Sequence, residues 1–151
     1  MKRKTRTPTS RCGIASGGNW IVDRLKIVDR LPGRGLLANI HGESRGTGGA
    51  PTNVLTDLAR LKAPFPLAGL GIVGADAEGE FLLSSCRKNG IAASGIIVTK
   101  DAPTSYTDVM SEDQTGVRSF FHQRGANAIF GPEHVRIDSL TCRIFHLGYL
   151  L

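Results

Sequence analysis

The sequence predicts an α/β protein built on a mostly parallel sheet. Three observations carry this. Short apolar runs bounded by glycine and proline alternate with segments of helical periodicity. The clearest helix, Pro51 to Lys62, follows a Gly-Gly pair and is stopped by Pro64 and Pro66. Two stretches, roughly 24–47 and 100–123, read as β structure without helices, as excursions from the main sheet that could pair as a flap.

Taken in order, Cys12 to Ala15 reads as a short strand ending in Gly17-Gly18, and Trp20-Ile21-Val22 leads to Asp23, carrying a carboxylate out of the sheet end. Leu36 to Ile40 is another short apolar run between glycines, and His41 to Thr47 reads as a polar, glycine-containing loop. In the first helix Val54, Leu58 and Leu61 form the apolar stripe, widened by Leu55 and Ala59. Leu67 to Val73 reads as a buried strand and Gly74 to Gly79 as a loop. A second helix runs from Asp76 or Ala77 to Lys88 and ends at Asn89-Gly90, with Phe81, Leu82, Ser85 and Cys86 facing inward. Ile96 to Val98 is a strand. Thr104 to Met110 and Val117 to His122 form a hairpin around Asp113 to Gly116. Pro132 to Leu140 is a short helix and Ile144 to Leu147 a final strand.

Length and charge narrow the class. The 151 residues suit one domain, and no apolar run reaches the roughly 18 residues of a membrane span. The net charge of +6 invites a nucleic-acid reading. Its distribution argues otherwise. Lys2, Arg3, Lys4, Arg6 and Arg11 carry five of the 19 basic charges, leaving 14 against 13 acids in residues 12–151. The basicity belongs to a tail over residues 1–11, expected to be disordered and solvated. No apolar segment follows it, so it is not a secretory signal. No nucleic-acid or membrane partner is expected. Cys12, Cys86 and Cys142 are scattered without metal or disulfide spacing. They are expected to be small buried hydrophobes in a reducing, cytoplasmic setting.

Gly69-Leu70-Gly71-Ile72-Val73-Gly74 matches G-x-G-x-x-G in form. A dinucleotide site needs a helix to open inside that motif. Here Ile72 and Val73 continue a strand, and the turn beyond carries Asp76, Glu78 and Glu80, which repel a pyrophosphate. Glycines allowing close packing in a buried strand are the simpler explanation; a Rossmann-type domain remains the less favoured alternative. Asp76 fits a helix N-cap. The sequence contains no Walker A lysine motif, no H-E-x-x-H and no G-x-S-x-G. His41, His122, His134 and His146 lack metal-ligand spacing, and no metal site is assigned.

The informative constellation is Gly17-Gly18-Asn19-Trp20-Ile21-Val22-Asp23 with Gly48-Gly49-Ala50-Pro51-Thr52-Asn53. Paired glycines before a helix let a ligand approach the backbone, and the helix start offers free N–H groups. Asp23 accepts from hydroxyls and Asn53 both donates and accepts. Such a set suits a neutral polyol.

These motifs, with Gly71 to Gly79 and Arg124-Gly125-Ala126-Asn127, resemble the N-terminal half of the PfkB carbohydrate kinases, the ribokinase-like family. The resemblance spans about Cys12 to Leu151. Leu55 stands where a small residue is usual, and Lys62 where a glycine is usual. It implies a central sheet flanked by helices, with a small β lid over the sugar, which the two helix-free segments fit. It implies substrate contacts from Asp23, Gly48, Gly49 and Asn53, lid contacts from Tyr106, Phe121 and Arg124, and a possible homodimer through the lid. It also implies ATP and Mg²⁺ as cofactors, with their sites mostly in a C-terminal half. The family's catalytic base comes from a Gly-Ala-Gly-Asp type motif near the C-terminus, which this sequence does not contain. The expectation is therefore a sugar kinase whose sugar-binding half is present, cut in mid-sheet and inactive alone. A non-catalytic sugar-binding or dimerisation remnant is the alternative.

Overall fold

The computed structural model describes residues 10–135 and 140–149. In chain order the elements are β1 (Ile14–Gly17), β2 (Ile21–Val28), β3 (Ile40–Gly48), α1 (Ala50–Arg60), β4 (Leu67–Gly74), α2 (Ala77–Lys88), β5 (Ala92–Thr99), β6 (Tyr106–Glu112), β7 (Arg118–Gln123) and β8 (Ile144–Leu147). Short 3-10 turns cover Gly125–Ile129 and Pro132–His134.

Two four-stranded sheets result. The body sheet has the order β5-β4-β1-β8, with every pairing parallel. The second sheet has the order β3-β2-β6-β7. Its central pair, β2 and β6, is parallel, and its two outer pairs are antiparallel. The two helix-free segments thus meet as one lid. Trp20, Val22, Leu55, Val73, Leu82 and Ile96 lie in one buried cluster. Trp20 lies in the crossing into the lid and Val22 in the lid strand β2, so lid and body share a core.

The Asp76 carboxylate caps α2, accepting from the Gly79 amide at 2.8 Å and from the Thr104 amide at 2.7 Å. Burial alone would raise this carboxyl, but the hydrogen bonds from Thr104, Gly79 and Glu78 outweigh it, and its pKa is lowered. Gly90, at φ 66°, follows the C-cap Asn89 in the left-handed conformation expected of a helix stop. Lys62 holds φ 55° just beyond α1, a conformation glycine takes more readily.

Several sequence expectations are corrected. His41 to Thr47 is not a loop but most of strand β3, because backbone pairing with β2 from Val22–Thr47 to Ile27–Gly42 needs no apolar alternation. The apolar run at Leu36 and Leu37 is not buried; these residues are 69% and 71% exposed in the connection before β3. Asp23 does not leave a sheet end but is the third residue of β2. Helix α1 buries Pro51, Thr52, Leu55 and Thr56, while Leu61 lies past its last turn and is 78% exposed. Of the three cysteines, Cys86 is buried, Cys142 is half-buried and Cys12 is exposed. The 3-10 turn at Pro132–His134 replaces the first part of the expected helix; residues 136–139 and the tail residues 1–9 lie outside the described residues.

The dinucleotide reading is also overturned. Gly69 to Gly74 lies wholly inside β4, and no helix opens in it. A Cβ on Gly69 would stand 2.6 Å from the Trp20 ring, and one on Gly71 would overlap the indole directly. The glycines make room for a tryptophan, not for a pyrophosphate.

Candidate functional site between lid and helix start

The site is assembled where β2 leaves the body and β3 returns to it. Gly48 ends β3 and Gly49 is the N-cap of α1, with φ 87°. A Cβ on Gly48 would overlap the Asp23 carboxylate, and one on Gly49 would overlap the Asn19 carbonyl oxygen. The carboxylate therefore lies directly over the Gly48 backbone, at the start of the helix. No side chain caps α1, and Pro51 brings no N–H, so the Ala50 and Thr52 amides are the free donors of its first turn. Three of the four expected substrate residues, Asp23, Gly48 and Gly49, converge. Asn53 sits one turn further along α1 and is exposed.

Register sets what stands beside Asp23. Asp23 pairs with Thr107 on β6, and Thr107 pairs with His122 on β7. Directly paired residues share a face, so Asp23, Thr107 and His122 form one row across the lid. The Thr107 hydroxyl and His122 Nδ1 lie 2.9 Å apart. Burial raises the Asp23 carboxyl above its ordinary value, and the nearby His122 partly offsets that. Asn19 is 1% exposed, and neither its amide nitrogen nor its amide oxygen has a partner among the described residues. A buried, unpaired amide costs about 1–3 kcal/mol, so this corner has polar capacity to spare.

The expected lid contacts do not gather there. Tyr106 and Phe121 are one residue out of step with Thr107 and His122, which turns them to the opposite face of the lid. Arg124 is exposed, and its carbonyl accepts from the Ser105 hydroxyl. Thr107 and His122 were missed because only strand register reveals them. Asn127 of the Arg-Gly-Ala-Asn motif acts through the backbone. Its side chain accepts from the Trp20 amide at 3.2 Å and donates to the Trp20 carbonyl at 3.1 Å, tying the end of the lid to the crossing before Asp23.

On the opposite face a latch joins lid to body. Glu78, in the first turn of α2, accepts from Arg24 Nη2 at 2.6 Å and from Arg45 Nη1 at 3.3 Å. Arg24 stacks 3.9 Å over the Tyr106 ring and Arg45 4.2 Å over Phe81. Because these pairs are partly solvated, Glu78→Gln should cost under about 1 kcal/mol of global stability. Its expected effect is local: amide exchange in β2 and β3 speeds up several-fold in hydrogen-exchange mass spectrometry, while β4 and β5 stay protected. Equal protection of the lid in both proteins would show that the latch holds nothing.

Among the described residues no three His, Cys, Asp or Glu side chains come together to hold a metal ion. No helix there is long and apolar enough to cross a membrane.

Comparison with known proteins bears on the fold. The family model for pfkB family carbohydrate kinases matches residues 13–145. A probable fructokinase-4 from Arabidopsis thaliana is 28% identical over 139 residues, covering 89% of this chain and 40% of its own length. A fructokinase from Xylella fastidiosa with bound ATP is 29% identical, with a TM-score of 0.67, covering 89% of this chain and 41% of that one. An Arabidopsis thaliana ribokinase complexed with ribose and ATP shares the fold at 20% identity and a TM-score of 0.72, over 90% of this chain and 45% of that one. The chain thus spans about 40% of the length of the curated relatives it matches.

Proposed function

The chain belongs to the pfkB family of carbohydrate kinases, and from that premise we propose that it supplies the sugar-binding half of an ATP-dependent sugar kinase. The observation that carries this is the Asp23 carboxylate held over Gly48 at the start of α1, with Thr107 and His122 in the same row of the lid. An ionised carboxylate accepts from two sugar hydroxyls, and the free amides of α1 donate to a third oxygen. The lid sheet covers the ligand and keeps water from it. The substrate is a neutral sugar of the size of fructose or ribose. Its role here is orientation: phosphoryl transfer depends mainly on positioning and charge stabilisation.

ATP and Mg²⁺ would serve the whole enzyme; the Xylella fastidiosa fructokinase structure holds bound ATP. The described residues do not fit either group, since Trp20 fills the glycine-rich strand and no metal-binding cluster forms. The sequence also has no Gly-Ala-Gly-Asp motif to furnish a base, so the 151-residue chain binds sugar without phosphorylating it. In the family the lid can carry a dimer; a second copy docked lid to lid would cover Leu36, Leu37, Ile40 and Phe121, all exposed. We place the protein in the cytoplasm.

The test joins binding and turnover. Fructose or ribose at millimolar concentration is expected to raise the melting temperature of the chain, and a coupled ADP-release assay with ATP, Mg²⁺ and the same sugars to show no turnover. Asp23→Asn should weaken sugar binding at least tenfold, the scale of about 1.5–3 kcal/mol for a charged hydrogen bond. Asp23 holds its proton to higher pH when folded than when unfolded, so ionising it costs stability as pH rises past the ordinary 3.8. Asn carries no such cost, and the variant should be at least as stable at pH 7. For the same reason sugar binding should fall on acidification with a midpoint above 3.8. A sugar-induced shift that survives Asp23→Asn would refute the assignment.

A further inference from the structure

Cys12 and Cys142 lie side by side where β1 and β8 begin. The strand pairing starts at Ile14 with Ile144, and the two chains stay bonded just before it. Backbone bonds hold the chains together at that point. The Cys12 amide donates to the Thr141 carbonyl at 3.0 Å, and the Arg143 amide donates to the Gly13 carbonyl at 3.0 Å. A backbone hydrogen bond of this kind brings two chains to about the 4.8 Å spacing of neighbouring strands, inside the roughly 4.4–6.8 Å between α-carbons that a disulfide spans. Both residues line one cavity of about 280 Å³, together with Ile14, Ala68 and Leu140. Cys12 is exposed and Cys142 half-buried, so a small oxidant reaches them. Cys86 is the internal contrast. It is 2% exposed in the core, and burial pushes its thiol up to about 11.

We propose that Cys12 and Cys142 are a reversible disulfide pair, oxidised by a low-molecular-weight disulfide such as oxidised glutathione. The Cys12 thiolate attacks one glutathione sulfur, the glutathione disulfide bond breaks, and one glutathione leaves as a thiolate that takes up a proton. The Cys142 thiolate then attacks Cys12 Sγ and expels the second glutathione, which takes up the other proton. Two protein thiols are oxidised, and one glutathione disulfide is reduced to two thiols. The bridge fastens β8 to β1 covalently. It closes a loop of about 130 residues, the long-loop case in which a cross-link restricts the unfolded chain most. The site lies at the opposite end of β1 from the crossing that leads to Asp23, and the proposal does not depend on the sugar reading.

The full chain is incubated with oxidised glutathione under native conditions, quenched with acid and examined by intact mass and non-reducing peptide mapping. The expected product is two hydrogens lighter than the reduced chain, joins Cys12 to Cys142 and melts about 5–10 °C higher. Dithiothreitol reverses all of this. Cys12→Ser and Cys142→Ser each leave a glutathione adduct on the remaining partner and gain no melting temperature, whereas Cys86→Ala still forms the bridge. A stable glutathione adduct on the parent chain, two adducts, or a disulfide between two chains would each overturn the proposal.

Discussion

Gly49→Ala is expected to cost roughly 3 kcal/mol or more, enough to unfold much of a marginally stable domain at 25 °C. Two independent penalties add there. The backbone is left-handed, at φ 87°, and holding a residue with a Cβ in that region costs about 1–2 kcal/mol. The new methyl would also overlap the Asn19 carbonyl oxygen, which is backbone and cannot rotate away. Relief requires moving either the N-terminus of α1 or the crossing between β1 and β2, and both belong to the candidate site. Gly35→Ala is the matched control. Its φ is 73° with nothing within 4 Å of the new atom, so only the conformational cost of about 1 kcal/mol applies. Urea titrations followed by circular dichroism separate the two. If Gly49→Ala unfolds at the same denaturant concentration as Gly35→Ala, the close approach to Asn19 is not real.

Trp20→Ala should be of comparable size, about 3–5 kcal/mol. The indole is fully buried and lies across Gly69 and Gly71, and its Nε1 donates to the Leu70 carbonyl at 2.8 Å. Removing it opens a void between the crossing and β4 that backbone on both sides cannot close. Trp20→Phe keeps most of the packing and loses the hydrogen bond, so it should cost about 1–3 kcal/mol. Gly71→Ala attacks the same contact from the other side, because its methyl would occupy the indole's place. Thermal melts of the three variants should rank Trp20→Phe as the mildest. A Gly71→Ala protein melting with the parent would refute this account of the glycine motif.

Much of the fold was legible in the sequence because its elements are punctuated. Asp76 and Asn89-Gly90 bracket helix α2 in the sequence, and its N-cap and C-terminal stop are where those residues place them. The strands of the body sheet are short apolar runs whose neighbours are polar or glycine. Strand β3 was not legible. Its residues His41 to Gly46 are exposed or half-exposed, and its structure comes from hydrogen bonds to β2. Apolar patterning reports burial, not backbone pairing. The helix face differs at Leu61 for a related reason: the apolar periodicity continues past Arg60, where the helix ends, onto the C-cap Leu61.

The candidate site divides in the same way. Asp23, Gly48 and Gly49 stand in local motifs, and local motifs survive in sequence because a turn or a helix start needs particular residue types. Thr107 and His122 stand 15 residues apart in the chain and more than 80 from Asp23, and only the β2–β6–β7 register sets them in one row. Tyr106 and Phe121 differ from them by a single residue each, and that step moves a side chain across the sheet.

By itself, the sequence determined the α/β class, the two helices, the pairing of glycines with a carboxylate and the family resemblance, since each is written in neighbouring residues. The tertiary structure alone decided that the glycines of β4 serve Trp20, that the lid turns Thr107 and His122 toward Asp23, and that Cys12 and Cys142 line one cavity. Those facts depend on which strands lie side by side and in what register, and register is settled by the packing of the whole molecule.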